Sequence, residues 1–161
     1  MKAQFFSELL KTLPDPLPNG TSEHKEFAIA KTVDDQHLVF GWANIAFKAD
    51  GEQVCDLQSD LIDTEDLEKA AYIYATNYRA GGEMHIQDMA HKNIGTMIES
   101  CVFTKEKQLA MGLPEGVVPE GWWIGFKIHS DEAWDKIKDG TYKMFSIEGT
   151  GVREEVGEQD E

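Results

Sequence analysis

The sequence predicts an α+β fold that is mostly β, with an antiparallel, barrel-like β core and helices packed on its outside. Strand-like runs dominate the middle of the chain, and two helical patterns interrupt them. The clearest strand is 122–128, where large apolar residues at every second position give one apolar face. These residues are Trp122, Ile124, Phe126 and Ile128.

The other strands are predicted from runs of β-forming residues bounded by turn residues. Such runs lie at 27–33, 37–47, 83–87, 94–103 and 142–147. Asp34-Asp35 supplies a plausible turn between the first two runs. The two short runs, 83–87 and 142–147, contain His85 and Ser146 respectively.

Two helices are predicted from capping residues and helical spacing. The first follows Asp63-Thr64, which are good N-cap residues. The second follows Ser130, carries acidic residues in its first turn and is expected to bury Trp134 and Ile137. One face of the first helix carries the side chains expected to meet the core, namely Leu67, Ala70, Ala71, Tyr74 and Tyr78.

Composition and charge limit the functions open to this chain. Its 161 residues, 41% of them apolar, fit one globular domain. No apolar run approaches the roughly 20 residues that a membrane span requires, and no secretory signal is evident. A net charge of −15 disfavours direct binding of nucleic acid, which requires a basic surface. Two cysteines do not indicate a disulfide scaffold.

The chain is predicted to have three parts. Residues 1–25 read as a flexible N-terminal arm, because Pro14, Pro16 and Pro18 interrupt its one amphipathic run. Residues 26–152 hold the patterned core. Residues 153–161 are dominated by acidic side chains and read as a solvated tail.

His85 and Ser146 are the most informative residues, because neither has an evident packing role in its strand-like run. A serine and a histidine brought together can form a nucleophile and its base. No familiar hydrolase signature, such as Gly-x-Ser-x-Gly, surrounds either residue. The pair therefore points to an unusual serine hydrolase or to no site at all.

Other combinations carry less weight. His85 and His91, with Asp88 between them, are spaced more loosely than the usual zinc pairs, so no metal and no cofactor is expected. Cys101 and His129 could form a thiol-protease pair, but the setting of Cys101 favours a core thiol.

Short blocks between residues 40 and 151, about two-thirds of the chain, follow one another in a recognisable order. They are Asp56-Leu-Gln-Ser-Asp60, Leu67-Glu-Lys-Ala-Ala71, Asn77-Tyr-Arg79, Met84-His85, Ile98-Glu-Ser100, Trp122-Trp-Ile-Gly-Phe-Lys-Ile128, Trp134-Asp-Lys-Ile-Lys-Asp-Gly140 and Phe145-Ser146. Together they resemble the XkdF-type phage serine proteases. That family is related to the prohead proteases of tailed phages and, more distantly, to the herpesvirus assemblins.

The resemblance implies that Ser146 is the nucleophile and His85 its general base. Assemblins use a second histidine beyond the serine, and this sequence has none there. Glu99 is the preferred third member, because its carboxylate interrupts an apolar run and would need a partner if buried. The carboxylates that remain open for this role are Asp88, Glu148, Asp56 and Asp60.

An oxyanion hole needs backbone N–H donors aimed at the developing charge. Gly149 and Gly151 follow the serine closely and are candidates for this role. Arg153 could assist through its charge, as an arginine does in assemblins.

The activity that the resemblance implies is that of a prohead serine endopeptidase. Its substrates would be scaffold and capsid-associated polypeptides, inside the assembling procapsid in the host bacterial cytoplasm. A homodimer is plausible, whereas membrane and direct nucleic-acid partners are not expected. Two alternatives are a catalytically inactive capsid-assembly factor on the same fold and a Ser-His esterase.

Overall fold

One five-stranded antiparallel sheet forms the centre of the fold. The computed structural model describes residues 28–56, 60–83, 92–149, 151–152 and 154. Its strands are β1 (Ile29–Val33), β2 (Leu38–Phe47), β3 (Ala80–Gly81), β4 (Gly95–Phe103) and β5 (Glu120–Ile128). They lie in the order β1-β2-β5-β4-β3, and a short 3-10 turn joins β1 to β2.

Three helices complete the described structure: α1 (Thr64–Asn77), α2 (Lys105–Ala110) and α3 (Asp131–Lys138). The α+β, mostly β prediction is confirmed, as are both predicted helices; α2 was not predicted. Within the described ranges the sheet is open, and closure into a barrel is not observed. None of the helices in these ranges is long and apolar enough to cross a membrane.

The core lies on one face of the sheet, which we call the helix face. The four alternating apolar side chains of β5 are all buried there, as the sequence predicts. They pack in one cluster with Val39 of β2, Val102 of β4, Leu67 and Ala71 of α1, and Trp134 of α3. Ser130 caps α3 by accepting a hydrogen bond from the Ala133 N–H at 3.2 Å.

The buried stripe of α1 is narrower than the sequence predicts. Leu67 and Ala71 are buried, and the Tyr74 ring lies edge-on to Trp122 with centroids 5.6 Å apart. Ala70 and Tyr78, also expected in the core, are exposed. Tyr78 follows the last helical residue with φ −120°, so helical spacing no longer directs its side chain.

The run 142–147 is not a strand, contrary to prediction. Met144 makes an isolated antiparallel bridge with Ala28, and the Ile29 N–H donates to the Lys143 carbonyl at 2.7 Å. Beyond this bridge Phe145 packs on the sheet instead of extending a ladder. In the predicted strand 83–87, Glu83 lies in a bend after β3, and residues 84–91 are outside the described ranges.

Gly121 is required where β2 and β5 approach each other. A Cβ atom placed there would lie 2.5 Å from the backbone oxygen of Asn44 and 3.0 Å from the Ile45 Cα. Because backbone cannot move aside cheaply, Gly121→Ala is expected to lower the free energy of unfolding by about 3 kcal/mol. Gly149→Ala, with open space around its Cβ, should change the stability little. Equal urea midpoints for the two variants would contradict this packing.

Tyr74 should make stability fall at alkaline pH. Burial raises the pKa of its phenol from 10.0 to about 12. A raised pKa means that the folded state holds the proton longer, so this stability is complete below pH 10 and decreases as pH rises toward 12. Since the phenol is partly exposed, the loss should be about 1 kcal/mol. The measurement is urea unfolding of the wild type and of Tyr74→Phe at both ends of this pH window. Equal decreases in the free energy of unfolding of the two proteins would refute the role of Tyr74.

Candidate active site

Ser146 is exposed, and the residue before it is anchored in the core. The Phe145 ring lies against Phe126 on the helix face, with ring centroids 5.9 Å apart. A Cβ at Gly41 would come within 3.1 Å of the same ring, so the missing side chain at Gly41 makes room for it. The serine therefore follows directly after a fixed aromatic anchor while remaining open to solvent.

The segment that leads to Ser146 is held by backbone hydrogen bonds on both sides. The Tyr142 N–H donates to the Lys136 carbonyl of α3 at 2.9 Å, and the Lys143 carbonyl accepts from Ile29 of β1. A turn starts the segment, because the Thr141 N–H donates to an Asp139 carboxylate oxygen at 2.8 Å. The path toward Ser146 is thus defined by α3 at one end and by β1 at the other.

Glu83 connects this segment to the one that leads to His85. Its side chain is buried, only 6% exposed, and it accepts hydrogen bonds from Lys136 Nζ at 2.6 Å and from the Tyr142 hydroxyl. Glu83 is two residues before His85, and Tyr142 is four residues before Ser146. His85 itself lies outside the described residues. The two chain segments nevertheless meet at these three side chains.

Lys136 and Tyr142 keep their protons near neutral pH. The Glu83 carboxylate raises the pKa of Lys136, with further contributions from Glu132 and Tyr142. Burial raises the pKa of Tyr142, and the hydrogen bond to Glu83 raises it further. Lys136 therefore stays cationic and Tyr142 stays a hydrogen-bond donor at the pH where a histidine base operates.

The position of Glu99 gives no support to its predicted role. A β-bulge lies between Met97 and Glu99, so that Met97 pairs with Phe126 whereas Glu99 pairs with Gly125. The bulge turns Glu99 onto the face opposite Phe145, where it is exposed. Without that extra residue, the alternation of the strand would place Glu99 on the helix face. Its assignment as third member stays a prediction.

The remaining predicted site residues are spread over several places. Asp56 and Asp60 close a loop on each other, since the Asp60 N–H donates to an Asp56 carboxylate oxygen at 2.8 Å. The residues after the serine, Glu148, Gly149 and Gly151, are exposed. Asp88, His91 and Arg153 lie outside the described residues, as do the N-terminal arm at 1–25 and almost all of the tail.

Cys101 and His129 do not form the pair of a thiol protease. Cys101 is paired across the sheet with Trp123, and burial raises the pKa of its thiol, which disfavours the reactive thiolate. His129 instead lies beside Thr96, with its Nε2 2.8 Å from the hydroxyl oxygen. Within the ranges that the structure covers, no group of acidic, cysteine and histidine side chains could hold a metal ion.

Serine hydrolases place a serine hydroxyl within hydrogen-bond reach of a base. In this chain the segment before Ser146 contacts Glu83, which precedes His85 by two residues. The chain belongs to the family described as "Putative phage serine protease XkdF", which matches residues 26–155.

Two relatives from Bacillus subtilis (strain 168) are similar to this chain. The phage-like element PBSX protein XkdF is 29% identical over 117 residues, which are 73% of this chain and 38% of the relative. The uncharacterized protein YqbD is 27% identical over 122 residues, which are 76% of this chain and 34% of the relative. The chain thus spans less than two-fifths of the length of either relative. No solved structure matches it.

Sequence reasoning missed the cluster of Glu83, Lys136 and Tyr142. One signal was present, because Glu83, His85 and Gln87 alternate in the predicted strand 83–87 and would form a polar face. Nothing in the sequence connected that face with Lys136 or Tyr142, which lie more than fifty residues away.

Phe145 should control the order of the serine segment. Removing its half-buried ring in Phe145→Ala is expected to lower the free energy of unfolding by about 1–2 kcal/mol, less than for a fully buried ring. Amide hydrogen exchange in residues 143–148 should accelerate beyond that global loss. Ile147→Ala, which trims an exposed neighbour, is the matched control. Uniform exchange changes across the whole chain would argue against a local anchor.

Proposed function

We propose that this chain is a serine endopeptidase of phage capsid maturation that cleaves scaffold or capsid-associated proteins during procapsid assembly. The observation that carries the proposal is the contact of Glu83 with Tyr142. It brings together the two segments that lead to His85 and to Ser146. Membership of a family described as phage serine proteases supports the same reaction class.

Chain length supports the pairing of the two residues. A step of two residues spans at most about 7 Å, so His85 cannot be far from the Glu83 backbone. Ser146 is likewise only four residues beyond Tyr142, and Phe145 holds its direction. Both side chains therefore start from a common anchor.

In the proposed reaction, His85 takes the proton of the Ser146 hydroxyl while the Ser146 oxygen attacks a peptide carbonyl carbon. The C–N bond then breaks, and His85 returns the proton to the leaving amine. Water, activated by the same histidine, hydrolyses the acyl-enzyme and regenerates the serine. Backbone N–H groups at Gly149 and Gly151 are the proposed donors to the oxyanion, with Arg153 nearby in sequence.

Exposure of the serine supports a polypeptide substrate. Ser146 and the residues around it, Met144, Ile147 and Glu148, are open to solvent. An extended polypeptide can reach such a serine without entering a deep pocket. The proposed partners are accordingly scaffold and capsid polypeptides in the procapsid of the bacterial host, and self-association into a homodimer is part of the proposal.

Ser146→Ala should abolish cleavage while leaving the fold intact, because the alanine lacks only the attacking oxygen. The measurement is digestion of purified phage scaffold and capsid polypeptides, together with covalent labelling by a fluorophosphonate. Ser100→Ala is the matched control: Ser100 is also exposed, and its hydroxyl accepts from the Trp122 indole at 2.9 Å instead of facing a base. Cleavage and labelling should persist in that control.

Three other outcomes would refute the assignment or favour the esterase or the assembly factor. Cleavage that persists in Ser146→Ala would refute the assignment. Labelling of Ser146 with turnover of small esters but not of polypeptides would indicate an esterase. A Ser146→Ala protein that supports normal capsid assembly with unprocessed scaffold would indicate an assembly factor.

A further inference from the structure

The buried carboxylate of Glu83 joins three parts of the fold. Glu83 follows β3, Lys136 belongs to α3, and Tyr142 lies in the segment before Ser146. Glu83 is more than fifty residues from the other two in the sequence, and it provides their common acceptor. The cluster is thus a junction between structural elements and differs from an ion pair along one helix.

A carboxylate that is 6% exposed strongly restricts the positions of its partners. Breaking a buried pair by removal of one partner leaves an uncompensated charge, which is strongly destabilising. Lys136 and Tyr142 both donate to the same Glu83 oxygen, so the loss of either donor leaves that buried oxygen with fewer partners. The ion pair fixes direction as well as distance, which apolar packing does less well.

The lysine is itself firmly held. Its helix is anchored by buried Trp134 and by the Ser130 cap, and the Lys136 carbonyl accepts the Tyr142 N–H at 2.9 Å. Lys136 also pairs with Glu132 at 2.9 Å, but that side chain is 79% exposed. The two carboxylates on one lysine thus differ sharply in burial.

We propose that Glu83 is a positioning residue for the proposed nucleophile and base. It holds Tyr142, four residues before Ser146, and Lys136 of α3 against the chain two residues before His85. The inference rests on the proposed function. Glu83 does not touch the substrate or the reacting atoms in this role; it acts through Tyr142 and Lys136.

A second cluster of the same three residue types offers an internal control. Glu68 of α1 accepts hydrogen bonds from the Tyr72 hydroxyl at 2.9 Å and from Lys107 Nζ of α2. Its side chain is 26% exposed, and it joins α1 to α2 instead of the segments near Ser146. Tyr72→Phe therefore removes the same hydroxyl chemistry without touching the proposed site.

The first test is steady-state cleavage by the full chain. Glu83→Gln and Tyr142→Phe should each lower kcat by about 10–100-fold with KM within about twofold, because misplacement of catalytic groups affects the reacting geometry more than substrate binding. Tyr72→Phe and Glu132→Gln should keep the wild-type kcat. Tyr142→Phe removes a single oxygen and retains the ring, so it remains informative if Glu83→Gln does not fold.

The second test is a histidine titration by NMR, which needs no turnover. The chain has five histidines, and the His85 signal is identified by its loss in His85→Asn. Ser146→Ala should shift the His85 midpoint by on the order of 0.5 pH unit in the wild-type background, because a hydrogen-bond partner is removed. In the Glu83→Gln or Tyr142→Phe background, that shift should disappear.

The two tests separate this inference from the proposed function. If the wild-type protein cleaves its substrate and both Glu83→Gln and Tyr142→Phe keep the wild-type kcat, the positioning role is overturned and the protease assignment stays intact. A Ser146-dependent shift of His85 that requires Glu83, in a protein that cleaves nothing, would support positioning and overturn the protease. Absence of the shift in the wild-type background would overturn positioning in either case.

Discussion

The alternating apolar side chains of β5 impose the constraint on which the rest of this structure depends. β5 is the central strand, and one of its faces must be covered to remove Trp122, Ile124, Phe126 and Ile128 from water. Burial of each such side chain contributes about 1.5–3 kcal/mol. The helices α1 and α3 cover most of this face, and Phe145 contributes to the same cover. Because Phe145 is committed to the core, the place of Ser146 is set by the same hydrophobic burial that forms the fold.

Hydrophobic packing alone specifies the direction of the segment before Ser146 only loosely. Polar contacts restrict that direction further. Glu83 is buried and accepts hydrogen bonds from Lys136 of α3 and from Tyr142 in the segment before Ser146. A buried ion pair contributes less to net stability than its Coulomb energy implies, because desolvation offsets much of the attraction. Its effect here is geometric, since the two hydrogen bonds to Glu83 tie α3 to the segment before Ser146.

Family membership and the contact between Glu83 and Tyr142 are two separate grounds for the proposed reaction class. The family match covers residues 26–155 and reflects the sequence as a whole. The contact between the segments leading to His85 and Ser146 comes from tertiary structure and does not depend on that match. The aligned regions make up 38% and 34% of the two Bacillus subtilis relatives, so the likeness concerns one part of each.

The sequence by itself determined the fold class, four of the five described strands and both longer helices. These features follow from local alternation, helical spacing and capping, which adjacent residues encode. The resemblance read from the same sequence predicts His85 and Ser146 as the pair on which the proposal rests. The tertiary structure decided which face each strand residue occupies and which distant groups meet. The bulge after Met97 moves Glu99 to the face of the sheet opposite the helix face. Phe145 packs on the core, and the segment 142–147 is not the strand that the sequence predicts. The Glu83 cluster joins residues more than fifty positions apart, so periodicity cannot reveal it; only the folding of the sheet brings these charges together.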